Sequence, residues 1–223
     1  FSKYINECYV YPDARRFPKR FLDFILKISR RNRYDVIIPV GYISNVTLSR
    51  FKDKIEQLVK IPVADYEQLQ VAAHKDKTIA LAKKLGIPVP NSILMEEIDS
   101  SFVKDLKYPL VLKGLTESGR IRYVSSSKEL IQKGRLLSRV KKEPLVAQEY
   151  VKGKGYGFFA LFNHGKPRAI FMHRRLREYP ITGGASTAAE SVYEPKVKEY
   201  GLKVLRALNW HGVAMVEFKK DQR

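Results

Sequence analysis

A lysine that ends a short apolar segment is the first place in this chain where chemistry can be expected. In "YPLVLKGL", residues 108–115, Leu110, Val111 and Leu112 predict a short buried strand, and Lys113 follows them directly. An ammonium group beside a core costs free energy unless an anion pairs with it. Taken alone, Lys113 also fits a surface lysine whose alkyl chain covers apolar neighbours. The segment therefore raises the question of which group Lys113 faces.

Three further segments carry side chains or backbone groups suited to binding. "PLVAQEYV" (144–151) ends in Gln148, Glu149, Tyr150 and Val151, "GVAMVEF" (212–218) contains Glu217, and "HRRLREYPITGGAST" (173–187) is rich in arginine and glycine. Singly, they also fit an exposed strand end, an edge-facing acid and a surface loop with basic flanks. Their order and spacing along the chain are more informative than any one of them.

The elements that must position these residues fall into two groups. In residues 1–72, apolar runs and helical spacing predict a strand at 8–11, a helix at 18–32, a strand at 34–41 and a helix at about 45–59. The run at 34–41 is continuously apolar, which is typical of a parallel strand covered on both faces. This alternation predicts a small, open, parallel α/β layer.

From residue 73 the pattern restarts. It predicts a helix at 75–90, strands near 92–95 and 109–114, a helix near 101–106 and another after a serine cap at 125–127. A strand at 144–151, a hairpin turning at 163–166, a helix at about 195–208 and a final strand at 212–218 follow. We therefore expect domains at 1–72 and 73–223, with a small lid at about 100–150.

Charge and cysteine content limit the function classes. Of 223 residues, 42 are Lys or Arg and 23 are Asp or Glu, so the formal net charge is +19. Such a charge fits nucleic acid, an anionic membrane or a phosphate-bearing ligand, and the scattered basic pairs also fit a solvated surface. The single cysteine, Cys8, excludes an intramolecular disulfide and a cysteine cluster for zinc. The apolar runs are too short to cross a bilayer. With a single cysteine, a reducing cytoplasm is the expected location.

Taken together, the motifs resemble the ATP-grasp superfamily, in the branch of carbamoyl-phosphate synthase large chain and the carboxylate–amine ligases. The resemblance rests on "HKDKTIALAKKLGIPVP", "YPLVLKG", "LVAQEYVKGKGYG", "HRRLREYPITGGAST" and "WHGVAMVEF", which occur in the family's order over nearly the whole chain. It implies an α/β fold of the α+β ATP-grasp type, in which a pre-grasp domain precedes an ATP-grasp domain with an inserted lid.

The resemblance also assigns roles to residues. It implies that Lys113 and Lys75 face ATP phosphates and that Gln148, Glu149, Tyr150 and Val151 form the adenine hinge. It implies Mg²⁺ as a cofactor with Glu217 as a ligand, since Mg²⁺ takes hard oxygen ligands. Candidates for cradling the γ-phosphate or a substrate carboxylate are Arg174, Arg175 and Arg177, together with Gly183, Gly184 and Ser186.

The implied reaction is ATP-dependent ligation of a carboxylate to an amine through an acyl phosphate. Two departures from the family's pattern bear on it: the phosphate loop "GLTESGRIRYV" (114–124) holds only two glycines, and no acid follows the hinge for the ribose. The chain begins at Phe1 and ends at Arg223, before a second metal ligand would come, so we expect a fragment.

The alternative is a non-enzymatic basic α/β protein that binds nucleotide or nucleic acid. It is less favoured, because no nucleic-acid motif appears. The oligomeric state stays open, with a homodimer among the possibilities.

Overall fold

A computed structural model describes residues 3–95, 106–115, 121–141, 144–179 and 184–221. The helices are α1 (Pro18–Asn32), α2 (Tyr42–Arg50), α3 (Lys52–Glu56), α4 (Tyr66–Ala73), α5 (Lys75–Lys84), α6 (Ser127–Lys141) and α7 (Pro195–Ala207). The strands are β1 (Ser92–Leu94), β2 (Leu110–Gly114), β3 (Arg122–Val124), β4 (Leu145–Glu149), β5 (Lys154–Asn163), β6 (Lys166–Tyr179), β7 (Ala185–Ser191) and β8 (Gly212–Lys220).

Residues 3–73 form a mainly helical body. Helix α1 has the predicted bounds, with Pro18 in its first turn and Arg33 in the left-handed conformation at its end. Buried side chains from α1, α2, α3 and the segment before α4 share one core, which includes Phe21, Leu48, Ile55 and Ile61. Amphipathic spacing therefore predicts α1 correctly, whereas the single helix predicted at about 45–59 is divided into α2 and α3, and α4 was not predicted.

The strands predicted at 8–11 and 34–41 are wrong. Residues 8–11 form no strand, and the second segment makes only one parallel bridge, between Val36 and Lys60. Its side chains are not covered on both faces, because Ile38 is 64% exposed and Val40 is 95% exposed. An apolar run indicates hydrophobicity, but it does not indicate whether neighbouring strands exist. Among the described residues, the only trace of the predicted parallel layer is the bridge between Val36 and Lys60.

Two antiparallel sheets follow. The first has the order β1-β4-β2-β3, and its inner face packs on α6 through Leu110, Leu112, Val124 and Leu130. The second has the order β7-β6-β5-β8, and α7 covers one of its faces. The mixture of helices and antiparallel sheets confirms the predicted α+β class. The domain boundary at 72/73 and the lid at about 100–150 remain predictions.

The two faces of the second sheet differ in what they carry. Tyr156, Phe158, Ala160 and Phe162 of β5 are buried on the face towards α7, where Gly201 lies so close to Phe158 that any side chain would overlap the ring. Gly155, Gly157, Phe159 and Leu161 alternate with them and lie on the opposite face. Strand alternation thus separates a packed face from an open one.

Within the part of the chain that the structure describes, no helix has both the length and the apolar character needed to span a membrane.

Candidate nucleotide-binding site

Lys113 faces a side-chain amide. Strand β2 pairs antiparallel with β4, which places Val111 opposite Gln148 and Lys113 opposite Val146. From this position Lys113 Nζ donates to Gln148 Oε1 at 2.6 Å, and Gln148 Nε2 donates to Ser92 Oγ at 2.8 Å. These bonds orient the ammonium group on the face of the first sheet that lies away from the α6 core.

A second lysine lies beside Lys113. At the start of α5, the backbone N–H of Lys75 donates to Leu115 O at 3.1 Å, and its Nζ donates to the same oxygen at 3.4 Å. Burial, with the nearby charge of Lys75, lowers the pKa of Lys113 to about 8. The fold therefore brings two cations 38 positions apart in sequence to one place, and an anion between them would relieve both the burial cost and the repulsion.

The predicted hinge consists of the last two residues of β4 and the two residues that follow, and it is held by backbone hydrogen bonds. Glu149 N donates to Asn91 O at 2.8 Å, and Tyr150 N donates to Pro109 O at 3.2 Å. The Tyr150 ring packs edge-on against Tyr123, with centroids 5.5 Å apart. A cavity of about 830 Å³ opens here, lined by Tyr150, Val151, Lys152, Gly153, Lys154, Tyr156, Arg174, Lys220 and Asp221.

Glu217 lies on the open face of the second sheet. The register places Gly157 of β5 between His173 of β6 and Glu217 of β8. The Glu217 carboxylate forms an ion pair with the guanidinium of Arg175, which also lies 3.6 Å from Glu178 Oε1. Its side chain is still 55% exposed, so one part of this carboxylate faces solvent.

The remaining predicted residues are not all brought to Glu217. Arg174 lies on the opposite face of the sheet, beside Tyr156, and pairs with Glu190 of β7. Arg177 is exposed and lies opposite Ala188. Gly184 directly precedes β7, and Ser186 Oγ donates to Ala188 O at 3.2 Å. Gly183 and the middle of the predicted phosphate loop, 116–120, lie outside the described residues.

Sequence reasoning missed the residues that surround Arg175. These are Gly155, Gly157, Glu178 and His173. The Nε2 atom of His173 is buried without a hydrogen-bond partner among the described residues, and burial lowers the pKa of this imidazole. The signal that could have revealed the glycines is the spacing in "GYGFF", since alternate glycines in a strand leave one face without side chains.

The chain matches no protein-family model. Its structure is similar to that of L-amino acid ligase from Bacillus licheniformis, with a TM-score of 0.71 and 15% identity, and the match covers 97% of this chain and 53% of that one. It is also similar to that of biotin carboxylase from Campylobacter jejuni, with a TM-score of 0.72 and 16% identity, and that match covers 90% of this chain and 49% of the other. D-alanine–D-alanine ligase from Bacillus anthracis is also similar, with a TM-score of 0.67, 20% identity, and 89% and 69% coverage. The chain has the ATP-grasp fold.

The chain thus spans about half the length of two of these proteins. Within this ATP-grasp fold, the described residues contain no cluster of three or more His, Cys, Asp or Glu side chains that could hold a metal. Glu217 nevertheless fits Mg²⁺, because its partly exposed carboxylate is a hard oxygen donor and Mg²⁺ usually keeps waters and substrate phosphates as its other ligands. The chemistry of the Glu217 carboxylate is therefore compatible with a Mg²⁺ ligand.

Proposed function

We propose that this chain binds ATP with Mg²⁺ and belongs to a ligase that activates a carboxylate as an acyl phosphate, which an amine then captures. The convergence of Lys75 and Lys113 carries the proposal. Lys113 is largely buried, and the charge of Lys75 is close enough to lower its pKa. A polyphosphate that contacts both ammonium groups would favour the charged form of the buried lysine.

The two lysines would bind the phosphates by exchanging their present partners. Lys113 is a compact charge with three donors, so it can turn from the amide of Gln148 to a phosphate oxygen that shifts during transfer. Lys75 can likewise leave the carbonyl of Leu115. The structure of the Bacillus anthracis ligase has also been determined with ATP, which supports a nucleotide ligand for a chain of this fold.

The hinge would select adenine through backbone groups. The C=O of Glu149 would accept from the exocyclic amine, the N–H of Val151 would donate to a ring nitrogen, and Gln148 would supply a further amide. The bonds from Glu149 to Asn91 and from Tyr150 to Pro109 hold this segment in place before the ligand arrives. Such preorganisation reduces the entropic cost of binding.

In the reaction, a carboxylate oxygen attacks the γ-phosphorus, and the bond to the oxygen that bridges the β- and γ-phosphorus breaks, so ADP leaves. An amine nitrogen then attacks the acyl carbon and expels phosphate. Mg²⁺ held by Glu217 would neutralise charge on the phosphates. Arg175, Arg177, Gly183, Gly184 and Ser186 are the candidates for holding the γ-phosphate or the carboxylate. We place the reaction in the cytoplasm.

Calorimetric titration of Mg²⁺ and ATP into the chain and its Lys113→Ala variant tests this function. We expect saturable binding that weakens at least tenfold in the variant, since a charge-assisted contact to phosphate is lost. Lys128→Ala is the matched control, because Lys128 is exposed on the same part of the fold. Hydroxylamine added with ATP and a mixture of carboxylates should then trap the acyl phosphate as a hydroxamate. No ATP binding by the unaltered chain would overturn the proposal.

A further inference from the structure

Arg175 reaches Glu217 by crossing an intervening strand. Arg175 is on β6 and Glu217 is on β8, with β5 between them in the sheet. The crossing point is Gly155, where an added Cβ would lie 3.0 Å from Arg175 Cδ and 3.2 Å from Glu178 Oε1. Most residues at position 155 would therefore push the arginine side chain away, and glycine leaves the path open.

The contact places a permanent cation on the carboxylate that the proposed function assigns to Mg²⁺. A guanidinium group stays protonated in proteins. The second carboxylate beside it, Glu178, lies on the guanidinium's other nitrogen at 3.6 Å. Arg175 is thus held between two acids, and only one of them, Glu217, is more than half exposed.

We propose that Arg175 occupies the metal position on Glu217 when nucleotide is absent and is displaced when Mg²⁺ and ATP bind. Gly155 and Glu178 act as positioning residues: the glycine opens the path across β5, and the glutamate retains the guanidinium after it leaves Glu217. The displaced guanidinium stays on the face of the second sheet that carries Glu217. This inference rests on the proposed function, because it takes Glu217 as the metal ligand.

The displacement has a measurable consequence for metal binding without nucleotide. A cation that binds Glu217 must first separate it from Arg175, so the ion pair reduces the apparent affinity for a divalent metal. Removing the guanidinium should tighten metal binding up to about fivefold, the effect expected for an ion pair of which one partner is exposed. Nucleotide should reduce the difference, since phosphate oxygens give the displaced arginine a new partner.

Electron paramagnetic resonance of Mn²⁺ titrated into the nucleotide-free chain tests this directly, since bound and free Mn²⁺ give different signals. We expect Arg175→Gln to bind Mn²⁺ up to about fivefold more tightly than the unaltered chain. A chain carrying both Arg175→Gln and Glu217→Gln should lose that gain. Arg206→Gln is the matched control, because this arginine is exposed on α7, which covers the opposite face of the sheet, and its replacement should leave Mn²⁺ binding unchanged.

Gly155→Ala tests the path itself while leaving both charges in place. The added methyl group should shift the Arg175 side chain by a few tenths of an ångström and weaken the ion pair, so Mn²⁺ affinity should rise part of the way towards that of Arg175→Gln. Circular dichroism of each variant establishes that it is folded. Equal Mn²⁺ affinity in the unaltered, Arg175→Gln and Gly155→Ala chains would overturn the inference.

The outcomes separate this inference from the proposed function. If ATP binds in a Lys113-dependent manner while Arg175→Gln leaves Mn²⁺ affinity unchanged, the function stands and the displacement is wrong. If Arg175→Gln gains Mn²⁺ affinity through Glu217 but the unaltered chain binds no ATP, the displacement stands and the nucleotide function is wrong.

Discussion

Replacing Lys113 with methionine should stabilise the nucleotide-free protein. Burial and the charge of Lys75 lower the pKa of Lys113 from 10.5 to about 8, which corresponds to a penalty on its charged form of about 3 kcal/mol. The lysine is still mainly charged at pH 7, so the folded protein carries nearly all of this penalty. Methionine removes it but leaves Gln148 Oε1 without its donor, at a cost of about 1 kcal/mol. The net gain is about 2 kcal/mol.

Thermal unfolding followed by circular dichroism measures this gain. For a chain of this size, about 2 kcal/mol corresponds to a rise in Tm of roughly 4–8 °C. The gain should also depend on pH. Between pH 8 and 10.5 the unfolded chain holds a proton on Lys113 that the folded protein has released, so the unaltered protein gains stability as pH rises and approaches the variant.

Lys128→Met is the control, because this lysine is exposed on α6 and its replacement should change Tm little at any pH. A Lys113→Met protein that is less stable than the unaltered one at pH 7, or a difference that does not shrink between pH 8 and 10.5, would refute the reasoning about the buried charge.

Two further predictions concern stability. Gly201→Ala should lower the free energy of unfolding by about 1–3 kcal/mol, since the new methyl group overlaps the fully buried ring of Phe158. Denaturant titration measures this loss. An unchanged midpoint of the unfolding transition would show that α7 can shift to accommodate the methyl group. Burial lowers the pKa of His173 and His211, so the unfolded chain binds more protons near pH 6 and the protein should lose stability as pH falls from 7 to 5. His173→Phe should make that loss smaller in thermal melts at the two pH values, and an identical loss would contradict the prediction.

The sequence predicts those parts of the fold in which local pattern and tertiary structure agree. Helix α1 and the strands β2, β4 and β8 lie where apolar spacing places them. Strand β7 escaped prediction because "ASTAAES" is small and polar, and it is a strand only through its pairing with β6. The strand predicted at 34–41 failed for the opposite reason, since its apolar residues find one bridging partner instead of two neighbouring strands.

The site was predictable to a similar extent. That Lys75 and Lys113 should face one ligand follows from the resemblance in sequence, and the contact of Lys75 with Leu115 brings them together. The Arg175–Glu217 ion pair could not be predicted, because it depends on strand order and register. It also depends on a glycine whose importance appears only when a neighbouring side chain lies across it.

The most direct test of the central claim is the pKa of Lys113 with and without nucleotide, measured by NMR on lysine labelled at the side chain and assigned with Lys113→Met. Without nucleotide we expect a pKa of about 8. Saturating ATP with Mg²⁺ should raise it, because a phosphate beside the ammonium group favours its charged form. A pKa that stays the same when ATP is bound would contradict the claim that Lys113 faces the phosphates.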